Sequence, residues 1–537
     1  MPREILKFYP IFTLEHRQLM MPKILWADDE IDILKPQILF LQEKGYEVIT
    51  VSNGYDAIEE CNQQNDLDII FLDESMPGLS GLETLNRIKD DHPNIPIVMI
   101  TKNEAETVME EAIGSRISDY LIKPVNPNQI LLTLKKLTEN KRLVSEKVMT
   151  GYQQDFRSIL MDINQANSVD EWVEIYKKIM NWELKMDSSR SQDMSDILNT
   201  QKTEANGEFS RFVDRNYHDW IADPDDAPVM SWNLMRKKVF PRLSDDRPTI
   251  FILLDNLRYD QWKVLAPIIS ERFRITSEEH FFSILPTTTQ YSRNAIFGGM
   301  MPSEIAKFYP DWWKNDAEEG GKNQFESDLL GKQLEKVYRK PLKWTYQKIT
   351  NLHAARLLQD NATDYLQYDF SAIVYNFIDM LSHARTEMDV LKELAGDETA
   401  YRSLTQSWFL HSPLWAAMQR WAEKKPLRIV ITTDHGTIRV KTPTKVIADR
   451  DTTTNLRYKV GKNLQYEVKD VLEIRDPDKV GLPRPNVSSA FIFAKDDRFF
   501  LYPNNYTYYH NYYKNTFQHG GISLEEMICP FIVLEAK

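Results

Sequence analysis

Hydrophobic positions in the first quarter of the chain fall in short unbroken runs separated by amphipathic stretches. "KILWADD" (Lys23–Asp29), "LDIIFLD" (Leu67–Asp73), "IPIVMIT" (Ile95–Thr101) and "DYLIKP" (Asp119–Pro124) are apolar, and "YEVITVS" (Tyr46–Ser52) is β-branched. Between them, "DILKPQILFLQEKG" and "NGYDAIEECNQQ" carry apolar residues at helical spacing. Alternation through five strands predicts a parallel sheet with helices on both faces over residues 22–140. The period then changes. "LVSEKVMTGYQQDFRSILMDI" and "VDEWVEIYKKIMNWELKM" repeat every three or four residues and no strand-like run intervenes, which predicts a helical bundle over 141–245. After Pro248 strands return: "TIFILLD" (Thr249–Asp255), "FFSILP", "SAIVYNFID" (Ser371–Asp379) and "RIVITTD" (Arg428–Asp434), with helical stretches between them. The chain therefore reads as α/β, helical, then α/β again over 246–537.

Composition narrows the classes. A chain of 537 residues is too long for one core. A net charge of −13 argues against a protein that coats duplex DNA through phosphate contacts. Cys61 and Cys529 are too few for a disulfide framework or a Cys-rich zinc motif, which suits a reducing, cytoplasmic setting. No apolar run is long enough to insert in a bilayer. Residues 1–21 lack a signal-peptide core and read as a disordered or mis-started leader. "YPNNYTYYHNYYKNTFQHGG" holds six tyrosines between Tyr502 and Tyr513; they read as packing in a solvent-edged hairpin, with base stacking as the alternative.

The early strands end in chemistry. Asp28 and Asp29 close one, Asp73 another, Thr101 the next and Lys123 the last. The carboxyl edge of a parallel sheet gathers such ends into one crevice. Carboxylates there suit Mg²⁺, and a central Asp beside the ion is a phosphoryl nucleophile. In this order, "WADDE", "IIFLDESMPGLSGLE", "IT" and "YLIKPV" resemble a response-regulator receiver domain. The resemblance implies a doubly wound, flavodoxin-like fold with Asp73 as phosphoacceptor. Asp28, Asp29 and Asp73 would hold Mg²⁺, and Thr101, Tyr120 and Lys123 would act as switch residues. A sensor histidine kinase would supply the phosphoryl group. No short basic helix-turn-helix follows residue 140.

The later strands pose a second question. Asp255 closes one; "IDMLSH" offers Asp379 at a strand end and His383 one turn on; "DHG" gives Asp434 and His435; "FQHGG" gives His519. Three Asp and three His suit two zinc-type ions. "LPTTTQYSRNAIFGG" places Thr287, Thr288 and Thr289 where a strand ends and a helix begins, so a hydroxyl can face both a metal and a helix dipole. This order resembles the alkaline phosphatase superfamily, and "LLDNLRYDQW" with "PTTTQYSRNAIFGG" resembles its PglZ branch. The resemblance implies one Zn²⁺ on Asp255, Thr289, Asp434 and His435, and a second on Asp379, His383 and His519. Thr289 would be the nucleophile, with Thr288 as its rival. Arg258, Arg293 and Asn294 would orient phosphate.

Receiver, helical connector and PglZ-type output together resemble the PorX-type regulators of Bacteroidetes. That resemblance implies a link to type IX secretion, an alternative sigma factor as partner, and a homodimer once phosphorylated. Neither cysteine is placed for a sulfatase nucleophile. A Thr nucleophile resembles the nucleotide phosphodiesterase branch more closely, and that resemblance implies oligonucleotide or cyclic-nucleotide substrates. The alternative is a zinc-stabilised, non-catalytic output that docks a sigma factor or another regulator.

Overall fold

The computed structural model describes residues 22–64, 66–93, 95–102, 117–189, 192–225, 227–243, 247–338, 342–380, 397–424, 426–449 and 452–537. The expected leader, 1–21, and His383 lie outside the described residues. The chain divides into two compact units, Met1–Gly151 and Tyr152–Lys537.

In the first unit five parallel strands, β1 (Lys23–Ala27), β2 (Glu47–Val51), β3 (Ile69–Asp73), β4 (Ile97–Thr101) and β5 (Asp119–Ile122), lie in the order β2-β1-β3-β4-β5. Side chains alternate across a strand. Thus Leu25, Ala27, Ile70 and Leu72 enter one core layer, while Ile24, Trp26, Ile69 and Phe71 enter the other. Burial of both faces explains why these strands read as unbroken apolar runs. The helix Gly54–Gln63 starts on the Asn53 cap, and Gly81–Asp91 starts on a Ser80–Glu83 capping box. This is the flavodoxin-like order, with its crevice at the carboxyl ends of β1 and β3.

In the second unit the main sheet has the order β7-β18-β10-β6-β9-β8. Its strands are β6 (Thr249–Leu254), β7 (Phe273–Phe282), β8 (Trp344–Ile349), β9 (Phe370–Tyr375), β10 (Arg428–Thr432) and β18 (Ile528–Ala536). β10, β6, β9 and β8 run parallel, and β18 runs antiparallel to both β10 and β7. Three small sheets complete the unit: β11 (Ile438–Arg439) with β17 (Phe517–Gln518), β12 (Thr442–Lys445) with β16 (Arg498–Leu501), and β13 (Tyr458–Gly461), β15 (Ala490–Ala494) and β14 (Val471–Ile474). Register fixes what meets at one edge. β6, β9 and β10 end there. β18 begins there, with Ile528 opposite Phe282 at the end of β7. The segments 283–289 and 519–527 are therefore delivered to the edge that carries Asp255 and Asp434.

The predicted helices appear as Pro127–Gln165, Val169–Ser189 and Gln192–Ala222. The last two pack on the second unit's sheet. Trp172 meets Phe209 at 5.5 Å, and Phe209 and Trp220 reach Phe282 of β7 at 6.2 and 5.8 Å. A buried ionic joint reinforces this packing. Arg402 bonds Glu183 (3.0 Å), Asp187 (2.7 Å) and Asp260 (2.9 Å), and Lys202 bridges Glu183 and Glu525 at 3.1 and 3.0 Å.

Two expectations need correction. Asp379 does not end a strand: β9 stops at Tyr375, and the Met380 amide bonds the Asn376 carbonyl at 3.2 Å, closing a helical turn that holds Asp379. The tyrosine cluster is not a hairpin: Tyr506–Tyr513 is a helix, with Tyr506 and Tyr513 packed on Ile438, Val440, Phe499 and Leu501.

Candidate phosphoacceptor pocket and metal centre

In the first unit Asp28, Asp29 and Asp73 offer carboxylate oxygens within 4.8 Å of one another. Oxygen-only donors at this spacing fit Mg²⁺. Lys123 Nζ lies 2.9 Å from both Asp28 and Asp73. Burial, with Asp28 and Asp29 alongside, pushes the Asp73 carboxyl above its usual range against the pull of Lys123. Burial also opposes the Lys123 charge, yet the two carboxylates hold its pKa above the usual value. Thr101 donates to Glu74, and Tyr120 stands outward, 39% exposed.

In the second unit the three best-placed donors are Asp255, Asp434 and His435, whose ligand atoms lie within 4.8 Å of one another. All three are buried. Thr289 Oγ1 sits 3.3 Å from Asp255 Oδ1 and 3.2 Å from His435 Nε2. Thr289 opens the turn that leads into the helix Asn294–Gly298. The imidazole is oriented: Nδ1 lies 3.0 Å from the Gly436 carbonyl, which can only accept, so Nε2 presents its lone pair to the cluster. Gly436 is required for packing, because a Cβ there would lie 2.0 Å from the Glu525 carbonyl oxygen. Two carboxylates, one imidazole and one hydroxyl are a donor set that fits zinc.

Arg293 is buried behind this cluster. It donates to Asp434 Oδ2 at 2.9 Å and pairs with Asp255 Oδ2, leaving Asp255 Oδ1 toward Thr289 and His435. Asn376 (3.3 Å) and Glu326 (3.6 Å) take its other nitrogen. Burial opposes ionisation of both aspartates. At Asp434, Arg293 overcomes it and holds the pKa down to about 2. At Asp255, burial and the Asp434 and Asp379 carboxylates outweigh Arg293 and push the carboxyl well above its usual range. The cluster is short of positive charge.

The remaining residues divide. Asp379 Oδ1 and His519 Nε2 approach to 3.7 Å, and the His519 ring stacks on His435 at 4.4 Å, so these two join the cluster. Thr288 is buried one residue before Thr289. Arg258 and Asn294 are engaged elsewhere. Arg258 pairs with Asp260 and Glu398 and lies over Tyr401 and Phe517; Asn294 donates to the Lys322 carbonyl at 3.1 Å. The bonds named for these two side chains go to residues outside the cluster. Asn256 and Glu326 were missed by sequence reasoning. Only the Asn after a strand-ending Asp, a residue tolerant of left-handed backbone, could have signalled the first.

Family models match three segments: the response regulator receiver domain over 24–135, the PorX response regulator linker domain over 142–221, and the BREX system PglZ alkaline phosphatase-like domain over 234–534. Curated relatives match over part of the chain. The transcriptional regulatory protein ZraR of Klebsiella oxytoca is 30% identical over 33% of this chain and 43% of its own length. The transcriptional regulatory protein SrrA of Staphylococcus aureus is 31% identical over 28% of this chain and 62% of its own. The chain thus spans less than two thirds of these relatives. Among solved structures, a receiver domain protein from Clostridium thermocellum aligns with 28% identity, covering 23% of this chain and 98% of that one (TM-score 0.22). The chemotaxis protein CheY4 of Vibrio cholerae aligns with 31% identity over 22% and 98% (TM-score 0.21). With the PglZ model covering more than half of its residues behind a receiver and a PorX linker, the chain belongs to the PglZ family as a PorX-type response regulator.

Proposed function

We propose that the output domain is a two-zinc phosphodiesterase acting on oligonucleotide or cyclic-nucleotide substrates under control of Asp73 phosphorylation. The observation that carries this reading is the position of Thr289 Oγ1, within 3.3 Å of both Asp255 and His435 in a buried, positively deficient cluster. Asp255, Thr289, Asp434 and His435 would hold one ion. Asp379 and His519, with His383 by resemblance, would hold the other. Zinc bound there would lower the hydroxyl's pKa and stabilise the leaving oxygen. Thr289 Oγ1 would attack phosphorus as the ester oxygen departs, and water would then release the phosphoryl group from Thr289. Arg293 would keep Asp255 and Asp434 oriented from behind.

The direct test is hydrolysis of a chromogenic phosphodiester by the zinc-loaded full chain beside Thr289→Val. We expect turnover in the parent and a loss of at least about 10³-fold in the variant, as for removal of a nucleophile. Equal rates would exclude Thr289 and turn attention to Thr288.

The receiver implies a phosphodonor such as a histidine kinase. We extend the proposal to dimer formation on phosphorylation, to docking of an alternative sigma factor and to control of type IX secretion. Sedimentation unchanged by acetyl phosphate would remove the dimer. Failure of a phosphorylated chain to retain any sigma factor would remove that partner, and secretion unaltered by Asp73→Ala would remove the link to it.

A further inference from the structure

We propose that Asn256 is a positioning residue that ties the two halves of the metal centre together and sets the affinity of the second, Asp379-side ion. The inference rests on the two-ion reading of the site. Asn256 directly follows Asp255 and is fully buried at the carboxyl edge of the sheet. Its backbone is left-handed, φ 67°. Few residues other than Gly and Asn adopt this conformation readily. The twist sends the backbone N–H and the side chain to different halves. The N–H points to Asp434 Oδ1 at 3.4 Å, and Nδ2 points to Asp379 Oδ1 at 3.3 Å. A carboxylate can only accept, which fixes the amide orientation with NH₂ toward Asp379.

Of the three carboxylate ligands, Asp379 stands farthest from a strand end. Asp255 stands one residue beyond β6 and Asp434 two beyond β10, whereas Asp379 stands four residues beyond β9, on a helical turn. The Asn256 amide supplies what the strand does not: a fixed donor that holds Asp379 Oδ1 beside His519 Nε2, 3.7 Å away. Hydrogen-bond partners of this kind orient metal ligands, and their loss weakens metal binding by roughly 10–100-fold. Glycine would meet the backbone requirement of the position equally well, so the amide has a separate role to test.

The test is equilibrium zinc binding by the full chain, comparing the parent with Asn256→Gly and Asn256→Ala. Glycine keeps the left-handed backbone and the N–H to Asp434 but deletes the amide. We expect two equivalents in the parent. In Asn256→Gly the first should keep its affinity and the second should weaken roughly 10–100-fold. In Asn256→Ala, which lacks the polar side chain that lets Asn tolerate the left-handed backbone, both should weaken. Parent-like binding of both ions by Asn256→Gly overturns the inference, as does equal loss of both. A parent that binds fewer than two ions overturns the reading of the site and the inference with it.

Discussion

Arg293 makes the acids of the candidate metal centre compatible with burial. Asp255, Asp434 and Glu326 surround one fully buried guanidinium. A planar fork can serve several carboxylates from one side and leave their other edges open. Removing one partner of a buried ion pair strands the other charges, at a cost of about 3–5 kcal/mol. Arg293→Met should therefore lower the thermal stability of metal-free protein by that amount, and added zinc should raise the variant's melting temperature more than the parent's. Equal melting temperatures without metal would contradict this. Residue-level legibility followed the same physics. Asp255, Asp434 and His435 were readable because each lies within three residues of the end of an apolar strand, and Thr289 because it opens a helical turn after one. The burial of Arg258 was not, because its partner Glu398 lies 140 positions away and no local pattern announces the pair.

At the scale of elements, the tyrosine segment shows where pattern and packing part. Tyrosine favours strands, and the spacing suggested a hairpin. The chain instead forms the helix Tyr506–Tyr513, because residues four apart stack. Tyr508 meets Tyr512 at 6.1 Å and 16°, and Tyr509 meets Tyr513 at 6.0 Å and 14°. Tyr506 and Tyr513 face the core, while Tyr508 is 62% exposed. Only five residues separate Tyr513 from His519, and no carboxylate occurs from Arg498 to Leu524, which favours a polyanion. We propose that this face stacks on substrate bases. Base–aromatic stacking is worth about 1–3 kcal/mol. Tyr508→Ala should raise KM for an oligonucleotide by roughly 5- to 150-fold and leave a small chromogenic diester untouched. A parallel loss on both substrates would assign the tyrosine to the fold. Receiver strands β1, β3 and β4 were legible because burial on both faces leaves unbroken apolar runs, and β2 because it is β-branched. Of β7 only Phe281 and Phe282, in "FFSILP", were read as strand, since "FRITSEEHFF" mixes charges into an outer strand.

For the whole molecule, the broad architecture of receiver, helices and α/β output was legible, because period and strand-end chemistry change along the chain. The association of helices Val169–Ser189 and Gln192–Ala222 with the output sheet was not. It depends on Phe209 and Trp220 meeting the end of β7, on Trp172 packing against Phe209, and on Arg402 bridging Glu183, Asp187 and Asp260. The two-zinc phosphodiesterase proposed for this helical and α/β unit is best tested by diester turnover of chelator-stripped full-length protein as zinc is returned. We expect no turnover in the stripped protein and a rate that reaches its plateau at two zinc ions per chain. Two bound ions without turnover of any diester would contradict it and favour a metal-stabilised binding output; so would turnover indifferent to stripping.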